Sequence, residues 1–153
     1  MGVLLRPFRD TDADRLLEIA NAALSGAAAE NEKWARNRLA FDATTWRRRQ
    51  YVAEEDGAKP VAYAALEEGP ERGRFRAFVV CPSERLDPTG DALFDRLLGD
   101  ARDLGATSLW VRELTRDPVL NLFRARGMRQ VSRFELMGVG EVVVLEMSLS
   151  EVH

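Results

Sequence analysis

Histidine and cysteine are almost missing from this 153-residue chain, which holds one of each. The single cysteine, Cys81, excludes an internal disulfide framework and a cysteine-rich metal site. The single histidine, His153, is the last residue, which leaves no material for a histidine-based triad or a histidine zinc site. Phenol hydroxyls are scarce as well, since Tyr51 and Tyr63 are the only tyrosines. No apolar run approaches the ~20 residues that span a bilayer. The first residues, MGVLLRPFRDTD, hold too short an apolar stretch for a secretory leader and no small-residue cleavage site. Arg6 also stands where the myristoylation pattern needs Ser or Thr. The expected setting is cytoplasmic, with no membrane attachment. Neither sign of charge dominates. A net charge of −3 argues against a dedicated nucleic-acid binder. The one basic run, Arg47-Arg48-Arg49, reads as a solvated helix end, with a patch for an anionic ligand as the alternative.

What is present describes a globular domain. Hydrophobic residues make up 46% of the chain and charged residues 31%, enough apolar material to bury a core. Repeats, low-complexity tracts and dividing linkers are absent, so residues 1–153 read as one domain. Residues 3–8 (VLLRPF) predict a first strand. Residues 12–24 space Leu16, Leu17, Ala20, Ala23 and Leu24 as a helix does, with Asp12 placed as its N-cap. Residues 25–31 read as a connection. Residues 32–49 read as a second helical region, with Trp34, Leu39 and Trp46 facing inward. Two strand-like runs then flank Asp56-Gly57, a hairpin signal, and a turn at Gly69-Pro70 leads to a strand at 74–80. A helix follows, with Ala92, Leu93, Leu97, Ala101 and Leu104 at helical spacing and Gly105 at its end. The remaining order is a strand at 107–113, a helix at 116–126 stopped by Gly127, and strands near 129–137 and 141–149. Such a β-α-α-β-β-β-α-β-α-β-β order predicts a mixed sheet with helices on its faces and one parallel crossover.

The loop between residues 81 and 90 carries the chemical question. A strand running through a loop into a helix N-terminus is where backbone N–H groups can hold phosphates. Here the loop contains Asp87, Pro88 and a single glycine, Gly90. Asp87 followed by Pro88 is an efficient helix start, with Asp at the N-cap and Pro at N1. On that reading the Asp87 carboxylate takes the bonds a phosphate would accept, and two unit charges ~5 Å apart at an effective dielectric of ~20 repel by roughly 3 kcal/mol. The expected loop is therefore closer to self-sealed than open, with Arg74 and Arg85 as partial compensation.

The element order, together with PSERLDPTGDALFDRLLGDARDLGATSLWV and LNLFRARGM, resembles the GCN5-related N-acetyltransferase (GNAT) superfamily over nearly the whole chain. The Val79-Val80-Cys81-Pro82 run, the Leu104-Gly105-Ala106 helix end, and Phe123 through Gly127-Met128 carry the likeness. The resemblance implies an α+β fold, with a mixed, mostly antiparallel sheet of about seven strands flanked by about four helices. It implies acyl transfer, usually of acetyl, from acetyl-CoA to a small-molecule or peptide amine. The cofactor is expected at Val79, Val80, Cys81, Arg85, Leu86, Asp87, Thr89 and Gly90, with its pyrophosphate on backbone N–H groups near Arg85 to Gly90 and the pantetheine arm between two splayed strands. Leu86 and Pro88 stand where many members have glycine, and proline brings no N–H. Phe123 stands at the position of an acid tyrosine, Arg116 at that of an asparagine and Val119 at that of an alanine.

For the general base, the strand before the loop holds no glutamate. Glu67 and Glu113 are the candidates, with Glu68 beside the first and solvated hairpin-end charge as the plain alternative for the pair. Cys81 reads as an inert thiol and not a nucleophile, and Trp110 as packing under the second helix layer. The alternative to an enzyme is a GNAT-fold module that has lost catalysis and serves in binding or pairing. A third reading is a binder of some other small ligand in the splayed sheet. The last strands are where two copies would pair across a two-fold axis.

Overall fold

The computed structural model describes residues 3–23, 48–55 and 59–149. Seven strands form one sheet in the order β1-β2-β3-β4-β5-β7-β6. They are β1 (Val3–Pro7), β2 (Arg48–Glu55), β3 (Lys59–Glu68), β4 (Arg74–Val80), β5 (Ser108–Leu114), β6 (Arg129–Leu136) and β7 (Gly140–Ser148). Every neighbouring pair is antiparallel except β4 and β5. Three helices stand among the described residues: α1 (Ala13–Ala23), α2 (Asp91–Asp103) and α3 (Val119–Ala125). The expected second helical region, with Trp34, Leu39 and Trp46, and the Asp56-Gly57 turn lie outside the described residues. One part of that expectation is overturned. Arg48 and Arg49 open β2 and are not a helix end.

Two apolar layers sandwich the sheet, and side-chain alternation assigns each strand residue to one of them. Leu16, Ile19 and Ala20 of α1 pack on Val52, Tyr63, Ala65, Phe78 and Val80. Helices α2 and α3 cover the other face, where Leu93, Phe94, Leu97 and Phe123 meet Ala64, Leu66, Phe75, Ala77, Val79, Leu109 and Val111. Gly105 (φ 82°) and Gly127 (φ 93°) end α2 and α3 in the left-handed region, where a side chain would be strained.

Asp12 differs from its expected role. It sits in a tight turn before α1, where its carboxylate accepts from the backbone N–H of Arg9 at 2.9 Å and from two Arg6 nitrogens at 2.8 and 2.9 Å. It ties α1 to β1 and does not cap the helix. The Arg6 guanidinium, at the centre of this contact, holds the Asp12 carboxyl below its usual range against the opposing effect of burial.

Candidate functional site

The parallel pair β4 and β5 shares only three rungs: Arg74 with Ser108, Phe75 with Leu109 and Arg76 with Trp110. Beyond Arg76 and Trp110 the two strands part, while β4 continues to Val80 and β5 to Leu114. A wedge-shaped gap therefore opens in the middle of the sheet. The loop from β4 to α2 begins at the wide end of that gap.

This loop is built from short turns. The N–H of Arg85 donates to the Pro82 carbonyl at 2.9 Å, that of Leu86 to Ser83, and that of Asp91 to Leu86 and Pro88. Three of its amides are thus turned inward, and Pro88 has none to offer. The Gly90 amide closes the π-helical turn over Leu86–Gly90, so the amides of Asp87 and Thr89 are the candidates for an anion. Thr89 and Gly90 are buried, and a methyl added at Gly90 would lie 3.4 Å from Leu86 Cδ2 and Leu122 Cδ2 and 3.6 Å from Cys81 Sγ. The Cα–H of Gly90 that a methyl would replace therefore faces the core, while Leu86 folds over from the loop.

The self-sealed reading of Asp87 is not what the structure holds. Asp87 does hold the extended backbone of an N-cap (φ −123°, ψ 119°), ahead of helical residues that run from Pro88 into α2, but its side chain is exposed and does not plug the helix mouth. The residue before α2 is Gly90, itself helical and without a side-chain cap. Spacing located the backbone role of Asp87 and could not show that its side chain turns to solvent. What narrows the cradle is the inward turn of its amides together with Leu86 and Pro88. Arg85 points elsewhere and forms an ion pair with Glu55 of β2. With Pro82, Ser83, Glu84, Val61 and the α1 residues Arg15, Glu18, Ile19 and Ala22, it lines a cavity of about 300 Å3.

Glu67 and Glu113 fall on opposite faces of the sheet. Glu113 of β5 shares the α2 and α3 face with Leu109 and Val111 and is fully buried. Glu67 of β3 lies on the α1 face, opposite Arg76 in register at the apex of the gap, and its carboxylate is 2.5 Å from Arg48 Nη1. The two cannot serve one reacting group together. Glu68 is structural, accepting the Gly73 N–H at 2.7 Å in the turn before β4.

Val79, Val80 and Cys81 are all buried, and burial pushes the Cys81 thiol up to about 12. Phe123 is fully buried, with its ring centroid 5.6 Å from that of Phe94. The Tyr51 hydroxyl donates to Asp100 and the Tyr63 hydroxyl to Gln50. Arg116 donates to the Val139 carbonyl at 2.9 Å.

A row of residues that the sequence reading did not bring together collects at the gap's apex on the α1 face. Arg48, Glu67, Arg76, Trp110 and Glu146 stand side by side in register across five strands. Arg76 stacks over Phe78 at 4.3 Å and over Trp110 at 4.9 Å, and Arg74 over Trp110 at 4.7 Å. Arg112 stacks over Phe134 at 5.1 Å. Trp110 is therefore half-buried among arginines on the α1 face and does not pack under α2. The alternation in Arg74-Phe75-Arg76 carried the signal, since period two places both arginines on one face.

A parallel pair that parts midway, with its first strand leading through a loop to a helix, is a distinctive frame. Solved structures share it over their whole length. This is the GNAT fold. A protein provisionally assigned as a phosphinothricin N-acetyltransferase superposes at a TM-score of 0.75 with 22% identity, covering 98% of this chain and 100% of its own. The Sinorhizobium meliloti phosphinothricin acetyltransferase, solved with acetyl-CoA, gives 0.68 at 17% identity, covering 99% and 90%. An N-acetyltransferase from Staphylococcus aureus gives 0.68 at 16%, covering 97% and 99%. No protein-family model matches the chain, and no curated protein does. Identities this low establish the GNAT fold, with its seven-stranded α+β architecture, and leave the chemistry to be argued from this chain's residues.

Proposed function

We propose that this chain is an acyl-CoA-dependent N-acyltransferase, with acetyl as the expected acyl group. The observation that carries the reading is the parting of β4 and β5 directly before the loop into α2. An extended, amide-bearing arm fits such a gap as a partial added strand, and the loop at its wide end supplies an anion site for the diphosphate. Val79, Val80 and Cys81 would border the arm. Asp87 and Thr89 would offer main-chain donors, with Arg85, Leu86 and Gly90 beside them. The exposed Asp87 side chain leaves those donors uncovered, although its charge stays at the helix mouth. Bound acetyl-CoA would supply an activated thioester.

The chain's own part is proton handling and placement. Glu67 is the better base, because it stands at the apex of the gap on the α1 face, whereas Glu113 is buried on the other. A single water extends the reach of its carboxylate to an ammonium acceptor. Phe123 has no hydroxyl, and both tyrosine hydroxyls are engaged elsewhere, so the departing thiolate takes its proton from solvent. A small-molecule amine is the acceptor class that the phosphinothricin enzymes support by likeness.

The inward-turned amides and the buried Phe123 favour a second reading, a GNAT-fold binding or pairing module without catalysis. Its pairing edge would be β6, which is exposed from Arg129 to Glu135, with Val131 58% and the nearby Met137 94% exposed.

Thermal melting with acetyl-CoA separates the two. Ligand at 100 times its Kd adds about 2.7 kcal/mol, a shift of several degrees for a domain of this size. A shift together with thiol release on an amine panel, lost in Glu67→Gln and kept in Glu113→Gln, is the expected result. Absence of a shift up to millimolar acetyl-CoA would favour the second reading. In that case Pro88→Gly, which restores one amide, should recover binding.

A further inference from the structure

We infer that the outer edge of β6 docks a second copy of this chain, in one antiparallel register centred on Phe134. The pairing does not depend on either reading of function. Strands β5 and β7 stand between β6 and the gap, so a copy docked at β6 leaves the acyl site open.

Strand β6 closes one side of the sheet, and every residue from Arg129 to Glu135 is exposed. Among the described residues, the exposed large apolar side chains are Leu4, Val131, Phe134 and Met137. All but Leu4 stand on β6 or in the turn that follows it. The ladder with β7 slips between Gln130 and Ser132, and β6 ends at Leu136. That leaves Ser132–Leu136 as the regular stretch, and its midpoint is Phe134.

A two-fold axis makes such a contact reciprocal. With the axis at Phe134, Ser132 faces Leu136 of the second copy, Arg133 faces Glu135 and Phe134 faces its own counterpart. Farther out, Val131 faces Met137. One register thus pairs opposite charges twice and covers all three exposed apolar side chains. Moving the axis by one residue, to Arg133 or Glu135, would set like charges against each other. An axis at Ser132 would carry the ladder through the irregular rung at Val131.

Charges on an edge strand ordinarily deter pairing. The charges of β6 are left incomplete within one chain. Glu135 lies opposite Glu141 in the ladder with β7, and Arg133 is ion-paired with Glu141. Like charges directly opposed are unfavourable, and among the described residues no cation pairs with Glu135. Arg133 of a second copy supplies one. The regular edge is short, so the contact buries less than the ~1,600 Å² of a standard interface and the dimer forms with rising concentration.

Sedimentation equilibrium from micromolar to millimolar protein, without ligand, should show monomers and dimers in exchange. Arg133→Glu and Glu135→Arg should each weaken the dimer roughly tenfold, because two exposed ion pairs turn to repulsion. The two substitutions together should restore it. Leu4→Lys, on the opposite sheet edge, should leave it unchanged. Introduced cysteines read the register, since the native thiol of Cys81 is buried. In Phe134→Cys the two new thiols face each other, with Cα atoms about 5 Å apart and within reach of a disulfide. In Ser132→Cys they lie roughly 13 Å apart, four residues along the strand, and an added oxidant should not join them. Circular dichroism checks each fold, and the cysteine variants decide if a charge reversal unfolds the chain.

A monomer throughout the concentration range would overturn the inference. So would a dimer indifferent to both charge reversals, one lost in Leu4→Lys, or one trapped through Ser132→Cys and not through Phe134→Cys. None of these outcomes bears on the acetyl-CoA melt, which tests the acyltransferase reading alone.

Discussion

Substituting Gly90 by alanine tests whether the one glycine left in the loop is needed for close approach of a ligand. Its dihedrals are helical, φ −60° and ψ −42°, so alanine adopts them without strain. The preference for glycine over alanine at an N-cap belongs to a residue outside the helical region, and Gly90 is inside it. The added methyl would meet Leu86, Leu122 and Cys81 at 3.4 to 3.6 Å, ordinary contact at the tight end. Restricting the unfolded chain contributes about 0.4–1 kcal/mol. Burial of a methyl adds up to ~0.8 kcal/mol, offset in part by small shifts of the two leucines. A net gain of about 1 kcal/mol raises Tm by roughly 2–4 °C at this chain length. The methyl points to the core, so acetyl-CoA affinity by calorimetry should be unchanged. A Tm lowered by about 2 °C or more, equivalent to losing some 0.5–1 kcal/mol, would refute the packing argument. Loss of acetyl-CoA binding without loss of stability would show that ligand enters from the Leu122 side.

Two further outcomes follow from buried ionisable groups. The folded-state pKa of Asp12 is depressed, so the unfolded chain binds more protons as acid is added. Its stabilisation is complete above the ordinary carboxylate value near 3.9 and is lost as pH falls through the folded value. Asp12→Asn should cost about 1.5–3 kcal/mol at pH 7, with the gap to the parent closing in acid, read by urea melts across pH. Cys81 is shifted the other way, to about 12, so at pH 8 its thiolate is on the order of one part in ten thousand. A thiol reagent should label it only in denaturant. Rapid labelling of the folded protein would show the thiol to be accessible. Because the shift is upward, Cys81 should also destabilise the fold as pH rises above the ordinary thiol range near 8.5. Cys81→Ala should remove that part of the alkaline loss.

Much of the frame was legible in the chain. The spacing of Leu93, Leu97 and Ala101 gave α2, Gly105 and Gly127 gave its end and that of α3, and alternating runs gave the succession of strands along the chain, though not their order in the sheet. These are local signals, because apolar periodicity and a left-handed stop are written within a few residues. The site was harder to read. Asp87-Pro88 has the composition of a helix cap and Asp87 has the backbone of one, yet its side chain lies in solvent. Glu67 and Glu113 looked equivalent as strand carboxylates, and only the register with β4 and β7 puts them on opposite faces. Asp12 was read as a cap, and Arg6 of the neighbouring strand claimed it instead.

The sequence by itself determined the inventory: no internal histidine, one cysteine, no hydroxyl at Phe123 and no amide at Pro88. It also set the parity of each strand, so that Arg74 and Arg76 had to share a side. Only the tertiary structure decided which side that was, and that Arg48, Glu67, Arg76 and Trp110 would line up in one row where β4 and β5 part. The reason is physical. Parity along a strand is fixed by the pleat of the local backbone. Neighbours across strands depend on register, which is set by contacts between residues far apart in the chain.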